Sequence, residues 1–495
     1  MKKLIPFILL EEKNTETPFY RQIYEAICRA ILKGELVAKA RLPSTRDLAK
    51  QLGVSRITVV NAYEQLFAEG YLEGKRGSGT FVAATLPDDL LQTAKAKITK
   101  TISKQKIALN LSPFGENLLA KELESSRQQT SVKYLPFQNG LTAIAQFPFE
   151  IWSRIAAKFQ KNPPMSLLIY GDSQGYFPLR EAIANHLKSA RGVNCTAEQI
   201  VITSGAQQAL DLTARIFLSE KDSVLVENPC YIEARNSFAA AEAKVESVEV
   251  DQEGLNIAKI QKNSKAKLVY VTPSHQYPLG VTMSLSRRLA LLDWAKQNNA
   301  WIIEDDYNSE FRYAGRPLAS LQGLDKTGQV IYIGTFSKTI FPSLRIGCVV
   351  VPDELVEVFT AARALNDVHS STIDQAILAE FISEGHFARH VRRMRQLYEI
   401  RQKILVEECQ KHLAGLLEVE KADAGMHLVG WLPEGVNDKL IAQKAREKGL
   451  IVSPISVCST PKLKRGGLIL GYTAFDERRI KEGVKILKRV MQVET

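Results

Sequence analysis

Apolar residues follow two patterns along this chain. From about residue 108 onward, near-continuous runs rich in valine and isoleucine alternate with amphipathic stretches of helical spacing. Such runs suit strands that are buried on both faces, so this region is predicted to be an α/β domain with a mostly parallel sheet flanked by helices. The clearest predicted strands lie within QIVITSG, DSVLVENP, AKLVYVTP, AWIIEDD and QVIYIGTFS.

Residues 1–82 instead show short helical patterns that end in a glycine-rich hairpin, EGKRGSGTFV. Ser44 and Asp47 form a capping box at the start of one predicted helix. After a turn at Gly53, Ser55 caps a second helix. The apolar stripe predicted for that second helix consists of Ile57, Val60, Tyr63, Leu66 and Phe67. Two helices followed by a hairpin predict a winged helix-turn-helix that binds DNA.

Polar residues of this first domain are candidate contacts to double-stranded operator DNA. The N-terminal end of the second helix enters the major groove in this motif, and the wing is placed to reach phosphates. Residues 1–82 contain 13 Lys and Arg against 9 Asp and Glu, a modest excess of +4 that fits a polyanionic partner. The candidate contacts are Arg46, Ser55, Arg56, Thr58, Asn61, Lys75 and Arg76.

The stretch from PFYRQIYEAI to GSGTFV resembles the winged helix-turn-helix of GntR-type bacterial regulators over nearly all of residues 14–82. This resemblance implies that Arg46, Arg56 and Thr58 make the main DNA contacts. The chain departs from the family at VAKARLPS, where Pro-Gly usually precedes Arg-Leu-Pro-Ser. A looser turn is expected there, and the DNA-reading residues are unaffected.

Between the two regions, residues 83–107 lack aromatic residues and alternate lysine with small polar residues, which predicts a linker. The predicted domains are therefore residues 1–82 and residues 108–495. No stretch is long enough to span a bilayer, and MKKLIPFILLEEK lacks a signal-peptide cleavage site. Six scattered cysteines show no metal-ligand spacing. A cytoplasmic protein with no membrane segment and no metal is expected.

The second domain carries the residue types that a pyridoxal phosphate site requires. This cofactor needs an amine for a Schiff base, an acid for its ring nitrogen, a stacking aromatic, a donor for its ring hydroxyl and a cup for its phosphate. Lys338, in GTFSKTIFPSLRIG, supplies the amine, and Asp305 at the end of an apolar strand supplies the acid. Tyr307 is the candidate hydroxyl donor and Tyr231 the candidate stacking ring.

Phosphate binding is predicted at a strand-to-helix turn, where backbone N–H groups and the helix dipole favour an anion. Each candidate residue also has an ordinary structural explanation when it is taken alone. Their joint occurrence at the carboxyl ends of successive strands, where ligands bind in α/β folds, favours the cofactor site. The candidate phosphate-binding residues are Gly205, Ala206, Gln207, Thr335 and Arg345.

Residues 108–495 resemble the fold-type I aminotransferases, and with the first domain the chain resembles the MocR or GabR-type transcriptional regulators. Matching stretches include YGDSQGYFPLREAIANHL, TPSHQYPLG, IIEDDYNSEFRY, GTFSKTIFPSLRIG and AGMHL. The resemblance implies a smaller C-terminal α/β subdomain and the roles given above to Lys338, Asp305, Tyr307 and Tyr231. It also implies a homodimer.

Four further positions bear on what the resemblance implies. Tyr170 matches the tyrosine that aminotransferases send across the dimer interface to the neighbour's phosphate. Ile469 stands where aminotransferases usually bind the substrate carboxylate with an arginine. Glu233 stands where the branch that responds to γ-aminobutyrate has an arginine, so a simple ω-amino acid effector is disfavoured. Tyr277 replaces the asparagine that usually bonds the ring hydroxyl.

These features together predict a pyridoxal phosphate-dependent, DNA-binding transcriptional regulator. Its aminotransferase-like domain is expected to sense a small amine, or pyridoxal phosphate itself, through the Lys338 aldimine. The alternative is a working aminotransferase whose winged domain controls its own gene. Both functions are consistent with the lysine, the aspartate and the phosphate-binding residues. The absence of the usual carboxylate-binding arginine and of the usual asparagine favours the regulator.

Overall fold

The computed structural model describes residues 17–75, 79–84, 110–112, 115–116, 134–261, 264–315, 319–460 and 463–492. The chain divides into two units, residues 1–110 and residues 111–495. Most of the predicted linker lies outside the described residues. Among the described helices, none combines the length and the apolar character needed to cross a bilayer.

The first unit is a three-helix domain with a two-stranded wing. Its elements are α1 (Phe19–Leu32), α2 (Thr45–Leu52), α3 (Arg56–Ala68), β1 (Leu72–Lys75) and β2 (Gly79–Val82). The strands pair antiparallel. The Oγ of Ser44 accepts the Asp47 N–H at 3.1 Å, and the Oγ of Ser55 accepts the Thr58 N–H at 3.2 Å. Both predicted caps are therefore present, and Gly53 ends α2 with a φ of +68°.

The apolar stripe predicted for α3 is wrong at both ends. Ile57 is 63% exposed and Phe67 is 38% exposed, whereas Val59 and Ala62 are fully buried against α1 and α2. The cause is that RITVVNAYEQLFA carries apolar residues on nearly every face of the helix. Spacing alone does not select one face, so packing against the neighbouring helices does.

The second unit contains a large sheet flanked by helices and a smaller C-terminal subdomain. Its helices are α4 (Phe149–Lys161), α5 (Phe177–Arg191), α6 (Ala206–Phe217), α7 (Ile232–Ala240), α8 (Leu285–Asn298), α9 (Leu321–Leu324), α10 (Asp353–Asp367), α11 (Thr372–Ser383), α12 (His386–His412), α13 (Asp438–Glu447) and α14 (Glu477–Met491). Its strands are β3 (Ile200–Thr203), β4 (Ser223–Asn228), β5 (Lys244–Asp251), β6 (Gly254–Leu255), β7 (Ala266–Val271), β8 (Trp301–Asp306), β9 (Val330–Thr335), β10 (Gly347–Val350), β11 (Glu418–Val419), β12 (His427–Trp431), β13 (Ser453–Pro454) and β14 (Gly467–Gly471).

The large sheet has eight strands in the order β3-β10-β9-β8-β7-β4-β5-β6. Its centre, from β9 to β5, is parallel, and β10 runs antiparallel to both β3 and β9. All five predicted strands are present, so the predicted α/β fold is confirmed. Strands β3 and β9 consequently run in the same direction and end at the same edge.

Both faces of the large sheet are covered by helices, which explains the continuous apolar runs. On β8, Ile303 packs with residues of α6, α7 and α10, while its neighbour Ile302 packs with residues of α8. The C-terminal subdomain is a four-stranded sheet, β11-β12-β14-β13, whose core includes α12, α13 and α14. This subdomain also confirms the predicted architecture.

Candidate functional site

The predicted cofactor residues gather at one edge of the large sheet. Tyr231 follows β4, Asp305 lies at the end of β8, and Lys338 lies three residues after β9. Gly205 lies between β3 and α6. Because these strands are parallel to one another, their carboxyl ends meet at this edge, which is where α/β folds bind ligands.

Lys338 is a half-buried lysine whose amine points at the backbone. Its Nζ donates to the Gly140 carbonyl oxygen at 3.2 Å. Burial lowers the pKa of Lys338, Arg345 lowers it further, and Asp305 opposes both effects. A lowered pKa increases the fraction of neutral amine, which is the nucleophilic form. Gly140 has a φ of +79°, which favours glycine, and a Cβ there would lie 2.5 Å from Nζ and displace the amine from this position.

Asp305 is a buried carboxylate with one oxygen in use. Tyr270 donates its hydroxyl to Oδ2 at 2.7 Å, while the buried Oδ1 has no hydrogen-bond partner. Burial raises the pKa of Asp305 to about 6. The Tyr270 hydrogen bond lowers the pKa, the neighbouring charge of Asp306 raises it, and the positive charge of Lys338 lowers it. An unpartnered buried carboxylate oxygen fits a protonated ring nitrogen, because such a donor would satisfy the hydrogen bond and compensate the charge.

The next residue, Asp306, faces the other side of the sheet and forms an ion pair with Arg191, although its buried Oδ1 has no hydrogen-bond partner among the described residues. Its Oδ2 accepts from Arg191 Nε at 2.7 Å and from the Tyr332 hydroxyl at 2.9 Å. Side chains alternate along a strand, so the two consecutive carboxylates have separate environments. Of the two, only Asp306 has an ion-pair partner among the described residues, so Asp305 is the carboxylate that can compensate a cationic cofactor ring.

Tyr307 contacts a histidine that sequence reasoning did not single out. The Tyr307 hydroxyl lies 2.9 Å from His275 Nδ1 and 3.0 Å from the His275 carbonyl oxygen. Burial lowers the pKa of His275 to about 3, so the imidazole is neutral near pH 7. The Tyr307 hydroxyl donates its single proton to the His275 carbonyl oxygen, so a hydrogen bond donated to a cofactor would replace that bond.

The stacking candidate Tyr231 meets Tyr277 edge-on, with ring centroids 5.6 Å apart. The Tyr277 hydroxyl accepts from Asn139 Nδ2 at 3.1 Å. An asparagine from a different segment therefore contacts the tyrosine that replaces the family's asparagine, and Asn139 directly precedes Gly140. The ring of His427 on β12 lies 5.4 Å from the Tyr277 ring. Asn139 carried no signal in the sequence, and His427 appeared only within the matching stretch AGMHL without a role, because their contacts join segments that are far apart.

The residues predicted to bind the cofactor phosphate surround the N-terminus of α6. Gly205 has a φ of +81°, and a Cβ there would lie 2.9–3.0 Å from the Arg345 guanidinium. Arg345 Nη2 donates to the Ser204 carbonyl at 2.8 Å, so the guanidinium is held over this turn. Ala206 and Gln207 begin α6 without a side-chain cap, which leaves backbone N–H groups for an anion.

Three other side chains near this turn differ in their hydrogen bonding. The Thr335 hydroxyl accepts the Ser337 N–H at 3.2 Å, and the buried Ser337 Oγ has no partner. The Gln207 side chain donates to Ser237 at 2.8 Å, so its amide is engaged and only its backbone is available. Ser337, which immediately precedes Lys338, is an additional candidate phosphate ligand.

Tyr170 lies outside this cluster within a single chain. It is 86% exposed, and its ring contacts the His369 ring with centroids 6.1 Å apart. Met165, Leu168 and Ile169 are exposed beside it in the sequence, at 71%, 55% and 59%.

The candidate DNA contacts occupy the outer surface of the first unit. Arg46, Arg56 and Asn61 are exposed, and the half-buried Thr58 shares a 2.8 Å contact between its Oγ1 and the Oγ of Ser55. The side chains of Lys75 and Arg76 lie outside the described residues. The exposed Ile57 joins the candidates, because an apolar side chain in this first turn suits a thymine methyl group.

Comparison with known proteins accounts for both units. The family model "Bacterial regulatory proteins, gntR family" matches residues 19–82, and "Aminotransferase class I and II" matches residues 143–475. The chain is 41% identical over 481 residues to the probable rhizopine catabolism regulatory protein MocR of Rhizobium meliloti, covering 97% of this chain and 95% of that protein. The chain belongs to the MocR/GabR-type transcriptional regulators. A second relative of this MocR/GabR-type regulator is the pyridoxine biosynthesis transcriptional regulator PdxR of Corynebacterium glutamicum, 32% identical over 96% of this chain and 95% of that one.

Solved structures similar to this MocR/GabR-type regulator are aminotransferases. The kynurenine aminotransferase of Pyrococcus horikoshii, solved with PMP, is 29% identical with a TM-score of 0.69, covering 81% of this chain and 98% of that one. The α-aminoadipate aminotransferase LysN of Thermus thermophilus, complexed with N-(5'-phosphopyridoxyl)-L-leucine, is 27% identical with a TM-score of 0.70, covering 77% and 99%. The family and these neighbours indicate pyridoxal phosphate as the cofactor.

Proposed function

We propose that this chain is a cytoplasmic, homodimeric transcriptional regulator that binds operator DNA through its winged unit and senses an amine, or pyridoxal phosphate itself, through its aminotransferase-like unit. The observation that carries the proposal is the pairing of a low-pKa lysine, Lys338, with a buried carboxylate oxygen of Asp305 that has no partner. That pairing occurs in a chain that also carries a GntR-type DNA-binding unit.

The residues of the site divide the work of holding the cofactor. When bound, pyridoxal phosphate supplies an aldehyde that can exchange the lysine amine for that of an incoming ligand. Asp305 would hold a proton at the ring nitrogen, and Tyr307 would donate to the ring hydroxyl by turning its proton away from the His275 carbonyl oxygen. Tyr231 would cover one face of the ring. The N-terminus of α6 and Arg345 would anchor the phosphate.

Regulation requires that the ligand bind two states of the protein with different affinity. Release of Lys338 from the cofactor would free its amine to return to the Gly140 carbonyl, so amine exchange changes the contacts of the site. We propose that this change is transmitted to the spacing of the two winged units of a dimer. A dimer reads paired half-sites, so altered spacing changes DNA affinity without a change in base contacts.

The carboxylate-binding positions support an effector other than a simple ω-amino acid. Ile469 is fully buried in β14 between Val429 and Ser453, and Glu233 begins α7. Arg465, the nearest cation in the sequence, donates to the Leu432 carbonyl and forms an ion pair with Glu418 at 2.6 Å. Its guanidinium is therefore engaged at the sheet rather than offered to a ligand.

A working aminotransferase remains the alternative, because Lys338, Asp305 and the phosphate-binding turn are all assembled. The aromatic-amino-acid aminotransferase 1 of Thermococcus litoralis is 31% identical over 72% of this chain and 87% of that one. Turnover assays with a panel of amino acids and keto acids distinguish the two functions. The regulator predicts no sustained turnover.

The direct test measures binding of the full-length protein to the DNA upstream of its own gene, first without cofactor, then with it, and then with candidate amines. We expect the cofactor or an amine to change DNA affinity. Lys338→Ala is expected to abolish that response and to retain basal DNA binding, while the exposed Lys326→Ala should behave as wild type. A normal response from Lys338→Ala would overturn the proposed sensor.

A further inference from the structure

A small polar cavity lies beneath the cofactor edge of the large sheet, with a volume of about 10 Å³. Three arginines, Arg191, Arg288 and Arg312, line it. Hydroxyl groups complete most of the wall, from Ser274, Thr282 and Ser309. A cavity of this size holds a single small occupant, such as one water molecule or one monatomic ion.

The three guanidinium groups differ in how they are compensated. Arg191 Nε forms the 2.7 Å ion pair with Asp306, and its Nη2 reaches Ser274. Arg288 is fully buried and donates only to backbone carbonyls, those of Met283 at 3.1 Å, Ala319 at 3.0 Å and Pro273 at 2.8 Å. Burial lowers the pKa of Arg288; Glu304 opposes this, while Arg191 and Arg312 add to it.

Arg312 is the least satisfied of the three. Among the described residues its buried Nε has no hydrogen-bond partner, and its Nη1 reaches Thr282 Oγ1 only at 3.5 Å. Ser309 Oγ lies close enough to Asp306 to lower the pKa of that carboxyl, yet it makes no hydrogen bond of good geometry. Two donors on the cavity wall are thus available to an occupant.

Nearby carboxylates do not balance the three positive charges. Asp306 accepts from Arg191 and Tyr332 through Oδ2, and its buried Oδ1 has no hydrogen-bond partner among the described residues. Both carboxylate oxygens of Glu304 accept hydrogen bonds from backbone N–H groups, those of Leu321 and Gln322. In the part of the chain that the structure describes, Arg288 and Arg312 have no carboxylate within ion-pair distance. A buried positive charge without a compensating anion is strongly unfavourable.

We propose that this cavity binds one monatomic anion, chloride under ordinary conditions, held by Arg312 Nε and Ser309 Oγ within the field of the three arginines. The size of the cavity excludes polyatomic anions such as sulfate or phosphate. An anion there supplies the missing negative charge and satisfies donors that are otherwise unpaired.

The position of the cavity gives the anion a structural consequence. Arg312 lies on the segment that follows Tyr307, and its backbone forms a bridge with Ala424, which also lines the cavity. Ala424 precedes β12 of the C-terminal subdomain. Ser274 directly precedes His275, the partner of the Tyr307 hydroxyl. The anion therefore joins the Tyr307 segment to the C-terminal subdomain, and its binding is expected to stabilise that junction.

The test uses the full-length protein in two measurements. Crystals grown with bromide in place of chloride are expected to show an anomalous peak at hydrogen-bond distance from Arg312 Nε and Ser309 Oγ. The thermal midpoint of the protein is expected to rise with chloride and to saturate, whereas gluconate at equal ionic strength leaves it lower. A cavity that holds water only, or equal midpoints in chloride and gluconate, would overturn the proposal.

Variants separate the anion from general salt effects. Arg312→Gln is expected to lose the saturable chloride dependence, and Ser309→Ala to weaken the apparent chloride affinity several-fold. Ser309→Ala is a small change at a wall position, so it provides the test if Arg312→Gln does not fold. The exposed Arg478→Gln is the matched control and should keep the wild-type response. Wild-type chloride affinity in Ser309→Ala would contradict the assignment.

Discussion

Asp305 and Asp306 are neighbouring carboxylates that the sheet places in opposite situations. Each keeps one buried oxygen without a hydrogen-bond partner among the described residues, but Asp306 shares an ion pair with Arg191 and Asp305 has no such pair there. Burial raises the pKa of both carboxyls; for Asp306, Arg191 and the nearby Ser309 and Tyr332 hydroxyls more than offset this effect. The carboxylate without an ion pair is the one that can stabilise a cationic ring, and it destabilises the cofactor-free protein.

This difference predicts the effect of Asp305→Asn on stability. The pKa of Asp305 rises from 3.8 to about 6 on folding, so its ionisation disfavours the folded state progressively between pH 4 and pH 6 and fully above that range. Cofactor-free Asp305→Asn should therefore be more stable than wild type at pH 8, by on the order of 3 kcal/mol, at about 1.4 kcal/mol for each pKa unit. Denaturant unfolding of the cofactor-free proteins from pH 4 to pH 8 measures it.

Asp306→Asn is the matched control and should change stability in the opposite direction. The pKa of Asp306 is lowered on folding, so its ionised form stabilises the protein at neutral pH, and the variant leaves Arg191 without its carboxylate. If Asp305→Asn lost stability at pH 8 as Asp306→Asn does, the unsatisfied state of Asp305 would be refuted.

The role of a residue could be predicted from the sequence only where a side chain of suitable chemistry lies at or just after the end of a predicted strand. Asp305 and Lys338 satisfy both conditions, so the sequence points to them, and their roles stay predictions. Tyr270, His275 and Asn139 could not be predicted, because each acts through a contact between segments distant in the chain. Tyr277 drew notice only as a departure from a family pattern, and its bond to Asn139 required the fold.

At the scale of elements, α3 shows that the sequence predicts where a helix begins better than it predicts which face of the helix is buried. The caps at Ser44 and Ser55 follow from local chemistry and are confirmed. The buried face is set by α1 and α2, and apolar residues on every side of α3 left it undetermined. The buried strands were predictable because valine and isoleucine runs flanked by helical patterns admit few other folds.

The exposed N-terminal turn of α3 gives a prediction for DNA binding. Arg56→Ala is expected to weaken operator binding by about 1–3 kcal/mol if Arg56 reads a base, and to relax specificity at one position. Fluorescence anisotropy with operator and scrambled duplexes measures both effects. Arg478→Ala, an equal change in the second unit, should leave the affinity unchanged. If Arg56→Ala bound the operator with wild-type affinity, Arg56 would not be a recognition residue and other residues would read the bases.

At the scale of the whole molecule, the proposed function requires two chains. Tyr170 is 86% exposed beside other exposed apolar residues, and no role within its own chain explains it. A second copy that covers this surface would bring Tyr170 to the neighbour's phosphate site and would pair two winged units for a two-part operator.

Mixed dimers test this arrangement. Tyr170→Phe alone should weaken cofactor binding several-fold, because each phosphate loses one hydroxyl. In a dimer of one Tyr170→Phe chain and one Lys338→Ala chain, the site that retains Lys338 receives Tyr170 from its partner, so it should bind the cofactor as tightly as wild type. Titration of purified mixed dimers by visible absorbance measures the affinity. Weak binding equal to that of the Tyr170→Phe homodimer would contradict exchange between chains.

The central claim is that the amine of Lys338 carries the cofactor in a DNA-binding protein. The most direct measurement reduces the cofactor-loaded full-length protein with borohydride and maps the modified lysine by peptide mass spectrometry. The account predicts a phosphopyridoxyl group on Lys338 in the wild type and none in Lys338→Ala. Modification of other lysines only, or no modification at all after incubation with pyridoxal phosphate, would contradict it.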